Sequence, residues 1–162
     1  MRYHLLKGQI NPETVKESLD FICDHKGHLT VAIDSHGGEK AYADMLLFAL
    51  NQNKDRVTLI AIAGVASCAF DIFYGFQGVR KMAFGCMGMT HYSSRNIDTD
   101  SNGEAAYAEG DSHKKNLKAY KKYELFILRK FATEKEIKRF KKSWDVYFSF
   151  KRMQQIFPDA EI

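Results

Sequence analysis

At 162 residues, nearly half of them apolar and about a quarter charged, the chain has the make-up of one globular domain spanning 1–162, and a disordered or fibrous protein is excluded. The net charge of +4 gathers late, in Lys114-Lys115, Lys121-Lys122, Arg129-Lys130 and Lys138 to Lys142, but acids are interspersed and no aromatic-and-glycine RNA motif accompanies it, so a solvated helical face is expected rather than a nucleic-acid partner. The N-terminus lacks the apolar core of a signal peptide and no apolar run is long enough to cross a bilayer, which predicts a soluble cytoplasmic domain without a membrane partner.

Asn11-Pro12-Glu13 combines a cap, a proline in the first turn and an acid, and so predicts a helix start; Val15, Leu19 and Ile22 then recur at helical spacing. His28 to Asp34 is rich in β-formers and predicts a strand, broken by Ser35-His36-Gly37-Gly38. Glu39 to Asn51 returns to a helical pattern through Tyr42, Met45, Leu46 and Ala49. A second apolar strand, Val57 to Ala63, runs into Gly64-Val65-Ala66-Ser67 and then a helix-like segment. Val79 to Phe84 and Met87 to His91 predict two more strands.

The last third differs. Ser93 to Gly110 is polar and aperiodic, which predicts a loop, and Asp111 to Phe131 predicts a long helix with Leu117, Tyr120, Glu124 and Ile127 on one side. Thr133-Glu134-Lys135-Glu136 is a capping-box pattern for another helix that gives way near Trp144-Asp145. Ser149 caps a final short helix, Phe150 to Phe157, closed by Pro158.

Strand–helix alternation predicts a parallel sheet with right-handed crossovers, and in such sheets chemistry gathers at the carboxyl ends of the strands. Gly37-Gly38, Ser67 and His91 each fall at a predicted strand end. Taken singly, each has a plain reading: a tight turn, a helix cap, a structural histidine. Asp145, between Trp144 and Val146-Tyr147-Phe148, is expected to be held against apolar neighbours, where a carboxylate needs a hydrogen-bonding partner such as an imidazole. A serine at a helix N-terminus has free N–H groups and a favourable dipole beside it. Three cysteines, Cys23, Cys68 and Cys86, are too few and odd in number for a disulfide framework and are expected as reduced thiols.

In this order and spacing the motifs resemble the proteolytic subunit of the Clp proteases, serine peptidases of the Clp/crotonase superfamily. Ile33 to Gly38 is similar to that family's strand ending in Asn-Ser-Pro-Gly-Gly. Gly64 to Phe70 resembles its Gly-x-Ala-Ala-Ser-Met-Gly-Ala-Phe segment, one alanine shorter. Met89-Thr90-His91 resembles Met-Ile-His, and Asp145 to Ser149 resembles Asp-x-Phe-Leu-Ser. Leu6-Lys7-Gly8-Gln9-Ile10 is similar to the Leu-Thr-Gly-x-Val of the first core strand. The resemblance runs over nearly the whole chain. It implies an α/β fold of the Clp/crotonase type, with strand–helix repeats, a mostly parallel sheet and a protruding long helix.

For function the resemblance implies a serine endopeptidase: Ser67 as nucleophile, His91 as base then acid, Asp145 fixing the imidazole, and the Gly38 and Cys68 N–H groups as oxyanion hole. It further implies unfolded or short peptides as substrates and a homo-oligomer packed through the long helix, with Leu117, Tyr120, Phe126 and Ile127 available. No metal and no organic cofactor are called for. His36 stands where the family has proline, Ala69 where it has glycine, and Asp71 where an apolar residue is usual. By its spacing Asp71 faces the side of Ser67, but it is expected to cap or pair elsewhere. Ser93 to Gly110 replaces the family's glycine-rich strand, and the chain starts almost at the first core strand, without the extension that forms axial loops. An ATP-dependent unfoldase chaperone, which the resemblance implies as a partner, therefore stays open on sequence. Two alternatives remain open on sequence: a catalytically inactive Clp-like scaffold or regulatory subunit, and a crotonase-type acyl-CoA enzyme.

Overall fold

The computed structural model describes residues 2–91, 122–142 and 145–161. The expected loop Ser93–Gly110, the start of the long helix with Leu117 and Tyr120, and Trp144 lie outside these residues. The chain divides into two compact units, Met1–Thr90 with Tyr147–Ile162, and His91–Val146.

The first unit begins with strand β1 (Arg2–Ile10), helix α1 (Pro12–Asp24), strand β2 (Leu29–Gly38), helix α2 (Lys40–Gln52), strand β3 (Val57–Ala66) and helix α3 (Cys68–Gly75). Strands β4 (Val79–Met82) and β5 (Met87–Thr90) follow, and near the C-terminus β6 (Val146–Phe148) and helix α6 (Phe150–Ile156) complete it. The sheet order is β1-β2-β3-β5-β6, with β4 also on β3, and the ladders β1·β2, β2·β3, β3·β4 and β3·β5 are all parallel. Strand β3 has ten residues and two partners along one side. Thr58–Ala61 pairs with β4, and Gly64–Ala66 with β5.

Local signals explain the helices. Asn11 accepts from the Thr14 N–H at 2.9 Å, while the Thr14 hydroxyl accepts from the Asn11 N–H, so each satisfies an orphan donor of α1. Ser149 accepts from the Arg152 N–H and starts α6 as expected. The apolar face of α2 is Ala43, Leu46 and Leu50, whereas Met45 of the expected face is exposed. The i, i+3, i+7 set wins because the helix turns its small Ala43 inward.

Three strand boundaries differ from expectation. Strand β2 does not break at Ser35 but continues through Gly38, and β3 runs past Ala63 to Ala66, because each finds ladder partners there: Gln9 and Ile10 for Gly37 and Gly38, Met87 to Met89 for Gly64 to Ala66. Strand β4 stops at Met82 rather than Phe84, since a turn closed by the Cys86 N–H on the Ala83 carbonyl takes over, leaving Phe84 on the surface.

Beneath α3 lies an aromatic cluster. Phe157 meets Phe73 edge-on at 4.9 Å and Phe70 at 5.9 Å, Phe70 stacks on Phe148 at 5.2 Å, and the Arg80 guanidinium lies 5.2 Å from the Phe157 ring centre. The cluster holds the helix that begins directly after Ser67.

In the second unit, helix α4 is described over residues 122–128 and α5 covers Glu134–Lys141. The end of α4 falls short of Phe131, and the Ala132 N–H closes its last turn on the Leu128 carbonyl. Thr133 and Glu136 form the expected capping box. Leu128 and Phe140 are buried.

Removing the ring at the centre of the aromatic cluster, Phe157→Ala, is expected to cost ~3–5 kcal/mol in urea unfolding. Phe84→Ala, at an exposed ring, is expected to stay within about 0.5 kcal/mol. Equal midpoints for the two variants would contradict the placement of the core.

Candidate active site

Two irregularities at the carboxyl end of the sheet shape the site. Between β1 and β2 the register slips after Lys7, and between β2 and β3 it slips after Ile33. Each slip costs ladder hydrogen bonds, and consecutive polar side chains of β2 replace them. Asp34 Oδ1 accepts from the Gly64 N–H at 3.2 Å. The Ser35 hydroxyl donates to the Gly8 carbonyl at 2.6 Å and accepts from the Gly37 N–H at 3.1 Å. Asp34 and Ser35 are the positioning residues that the sequence reading treated only as letters of a motif. Two polar residues closing an otherwise apolar strand were the signal available.

This bracing brings the Gly37-Gly38 turn against Ser67. Gly37 has φ +99°, and a Cβ there would stand 2.7 Å from the Ser67 Cβ and 3.2 Å from its Oγ. A Cβ on Gly38 would overlap the Ile10 carbonyl oxygen. Only glycine fits at either position.

Ser67 itself has φ +56° and ψ −130°, unlike any other non-glycine residue described. Its N–H donates to the Met89 carbonyl at 2.9 Å, and its carbonyl accepts from the Phe70 and Asp71 N–H groups. Ser67 holds the N-cap position of α3, but its side chain makes no capping hydrogen bond there. The reason is conformational: a capping side chain needs an extended backbone at that position, and Ser67 is left-handed. Such a backbone costs ~1–3 kcal/mol for a residue with a Cβ and persists only where the surroundings enforce it. A serine strained between a strand end and a helix start is held out from the turn, as in a nucleophile elbow.

Cys68 opens α3 with its side chain buried. Burial, with the Asp71 charge adding to it, pushes its thiol up to about 11; a hydrogen bond from the Gly38 backbone and the Lys40 charge act the other way. The Cys68 thiol therefore lies within hydrogen-bonding reach of the Gly38 backbone. Asp71 pairs with Lys40 at 3.4 Å, in line with the expectation that it pairs elsewhere.

A groove of about 480 Å³ crosses the carboxyl ends of β1, β2 and β3 and the first residues of β5, lined among others by Lys7, His36, Ala66, Met87, Met89 and Tyr147. A larger hollow of about 600 Å³ lies at the other end of α2, around Phe48 and Asn51, away from the Ser67 turn.

In the second unit His91 Nδ1 and Asp145 Oδ1 are 3.9 Å apart. That is an ion-pair distance, longer than a hydrogen bond. The Asp145 side chain is 47% exposed, which corrects the expectation that apolar neighbours enclose it. In β6, Val146 and Phe148 point inward, so strand alternation turns Asp145 and Tyr147 outward.

The chain matches no known protein family in a scan of family patterns, and a search of curated proteins finds no match. Among solved structures it is similar to a mutant of ClpP1 from Listeria monocytogenes, with a TM-score of 0.71, 16% sequence identity, and coverage of 96% of this chain and 86% of that one. The chain therefore has a ClpP-like fold, an α/β architecture around a mostly parallel sheet, as the resemblance implied.

Gly37→Ala is expected to lower stability by ~2–4 kcal/mol through a forbidden backbone and overlap with Ser67. The exposed His36→Ala should move the urea midpoint little, and an unchanged midpoint for Gly37→Ala would refute the packing. For the cysteines, burial pushes Cys86 to about 11 as well, with the Asp34 charge adding, so at pH 8 both buried thiols hold their protons. Mass spectrometry of the native protein after iodoacetamide at pH 8 is expected to show one adduct, on the exposed Cys23, and three after unfolding in urea.

Proposed function

We propose that the chain is a serine endopeptidase of the Clp type, one catalytic domain spanning 1–162, which cleaves unfolded or short peptides through an acyl-enzyme on Ser67. The observation that carries this reading is the strained Ser67 at the β3–α3 junction, pressed against Gly37 and beside the Gly38 and Cys68 main chains. A serine held at positive φ between a strand end and a helix start is strained, and strain of this kind gathers at functional turns.

In the proposed reaction Ser67 Oγ attacks the scissile carbonyl while His91 takes its proton, and His91 returns that proton to the leaving amine. Asp145 lies on the Nδ1 side of His91, the side from which a carboxylate orients the ring and leaves Nε2 for proton transfer. Met89, whose carbonyl accepts from the Ser67 N–H, lies in β5, which pairs with the end of β3. The carbonyl oxygen gains negative charge beside the Gly38 and Cys68 N–H groups at the start of α3. Gly38's N–H exchanges a weak sulfur acceptor for a strong oxyanion. The groove over the strand ends offers an extended peptide apolar walls, from Ala66, Met87 and Met89, with Lys7 and His36 in its lining.

No helix among the described residues is long and apolar enough to cross a membrane. The proposal places the enzyme in the cytoplasm, as a homo-oligomer. A second reading, an inactive Clp-like scaffold, draws on one observation, the half-exposed Asp145 at 3.9 Å from His91.

The test is labelling by a fluorophosphonate probe together with hydrolysis of an unstructured peptide. Ser67→Ala is expected to abolish both, and His91→Ala to cost about 10³-fold or more. Asp145→Ala should cost less, on the order of 10–100-fold, because a half-exposed acid at this distance orients the ring only weakly. Wild-type protein that takes no label and cleaves no peptide would favour the scaffold. Tight acyl-CoA binding without hydrolysis would favour a crotonase-type enzyme.

A further inference from the structure

The first turns of α2 and α3 are joined by one buried-edge ion pair that the proposed mechanism does not use. Lys40 is the first residue of α2, two positions after Gly38. Asp71 lies in the first turn of α3, four positions after Ser67. The Lys40 ammonium stands 3.4 Å from Asp71 Oδ2 and also bonds Asp44, one turn further along its own helix. Its side chain is 23% exposed and that of Asp71 32%, so water screens the pair only in part.

The pair to Asp44 is an ordinary i, i+4 contact that would serve any helix. The pair to Asp71 crosses between helices and has a consequence for chemistry. An acid in the first turn of α3 suits the helix dipole but repels any further negative charge arriving at that N-terminus. The charge that develops during acyl transfer at Ser67 arrives there. Both charges are felt at Cys68: after burial, Asp71 is the chief influence holding the thiol protonated, and Lys40 opposes it. On Lys40 itself burial acts to remove the proton, yet Asp71 and Asp44 outweigh it and its affinity for the proton is raised, so the ammonium stays charged through the neutral range.

We infer that Lys40 is a positioning residue for Ser67's chemistry, neutralising Asp71 so that the N-terminus of α3 receives the negative charge developing at the Gly38 and Cys68 N–H groups. The inference rests on the hydrolase reading above and deepens it, since it assigns the field at that site to a lysine on a second helix. It also accounts for an acid so close to a nucleophile: Asp71 stabilises the start of α3, and Lys40 removes the electrostatic cost.

The experiment compares second-order labelling of Ser67 by a fluorophosphonate probe in the full chain and four variants, Lys40→Met, Lys40→Gln, Lys40→Arg and the double variant Lys40→Met with Asp71→Asn, each checked by thermal melting. Both neutral single variants should label about tenfold more slowly, the loss of a positive charge beside Asp71, one turn from Ser67, being enough for that. The loss in peptide hydrolysis should fall on kcat with KM unchanged. Lys40→Arg and the double variant should return to within about threefold of wild type, because each restores the wild-type net charge of the cluster, and a merely structural role would leave the double variant as slow as the single. Wild-type rates in Lys40→Met or Lys40→Gln, or no recovery in the double variant at a native melting temperature, would overturn the inference while leaving the hydrolase reading standing. A wild-type chain that takes no label overturns both.

Discussion

Ser67 lies directly on Gly37, and the carboxyl edge of the sheet is organised so that this contact can exist. A left-handed serine needs an enclosing structure to hold it, and a chain packed this closely against it must lack a side chain at the point of contact. Both demands are met by β2 and β3 running beyond the point where their regular pairing fails. Asp34 and Ser35 supply the hydrogen bonds that the interrupted ladders cannot, and the buried aromatic cluster under α3 stops the helix from relaxing the turn. The strain of ~1–3 kcal/mol at Ser67 is small beside what that cluster and sheet contribute, so the fold tolerates it.

The electrostatics of the same edge follow from helix geometry. Two helices begin there, α2 just after Gly38 and α3 just after Ser67, and each presents unsatisfied N–H groups at its start. Negative charge is therefore favoured in the space between them. At this edge Asp71, in the first turn of α3, pairs with Lys40, the first residue of α2. In the second unit the electrostatics are weaker. His91 and Asp145 are within ion-pair range but partly open to water, and a contact of that kind directs a ring more than it stabilises a charge.

A ClpP-like fold at 16% identity shows which constraints an architecture imposes and which it leaves free. The alternation of apolar strands and amphipathic helices suffices for the sheet order, because the same set of buried positions can be filled by many side chains. The strand-end residues are under tighter control. A glycine at 37 and a residue able to hold φ +56° at 67 cannot be exchanged freely.

Much of this was legible in the chain itself. The cap signals at Asn11, Thr133 and Ser149 act through neighbours three residues away, so they are local and could be read directly. The strand–helix alternation and the placing of Gly37-Gly38, Ser67 and His91 at strand ends could be read for the same reason, since hydrophobic period and turn chemistry are properties of short segments. What required the tertiary structure was anything decided between segments. Strand β2 continues past Ser35 only because β1 pairs with it there, and α2 buries Ala43, Leu46 and Leu50 rather than the Met45 face because of how it packs. The Ser67 side chain makes no cap because its backbone is left-handed, and Asp145 turns outward because the strand after it turns Val146 inward. Local free energy fixes which elements form; the phase, the strain and the direction of a side chain are set by whatever the fold brings against them.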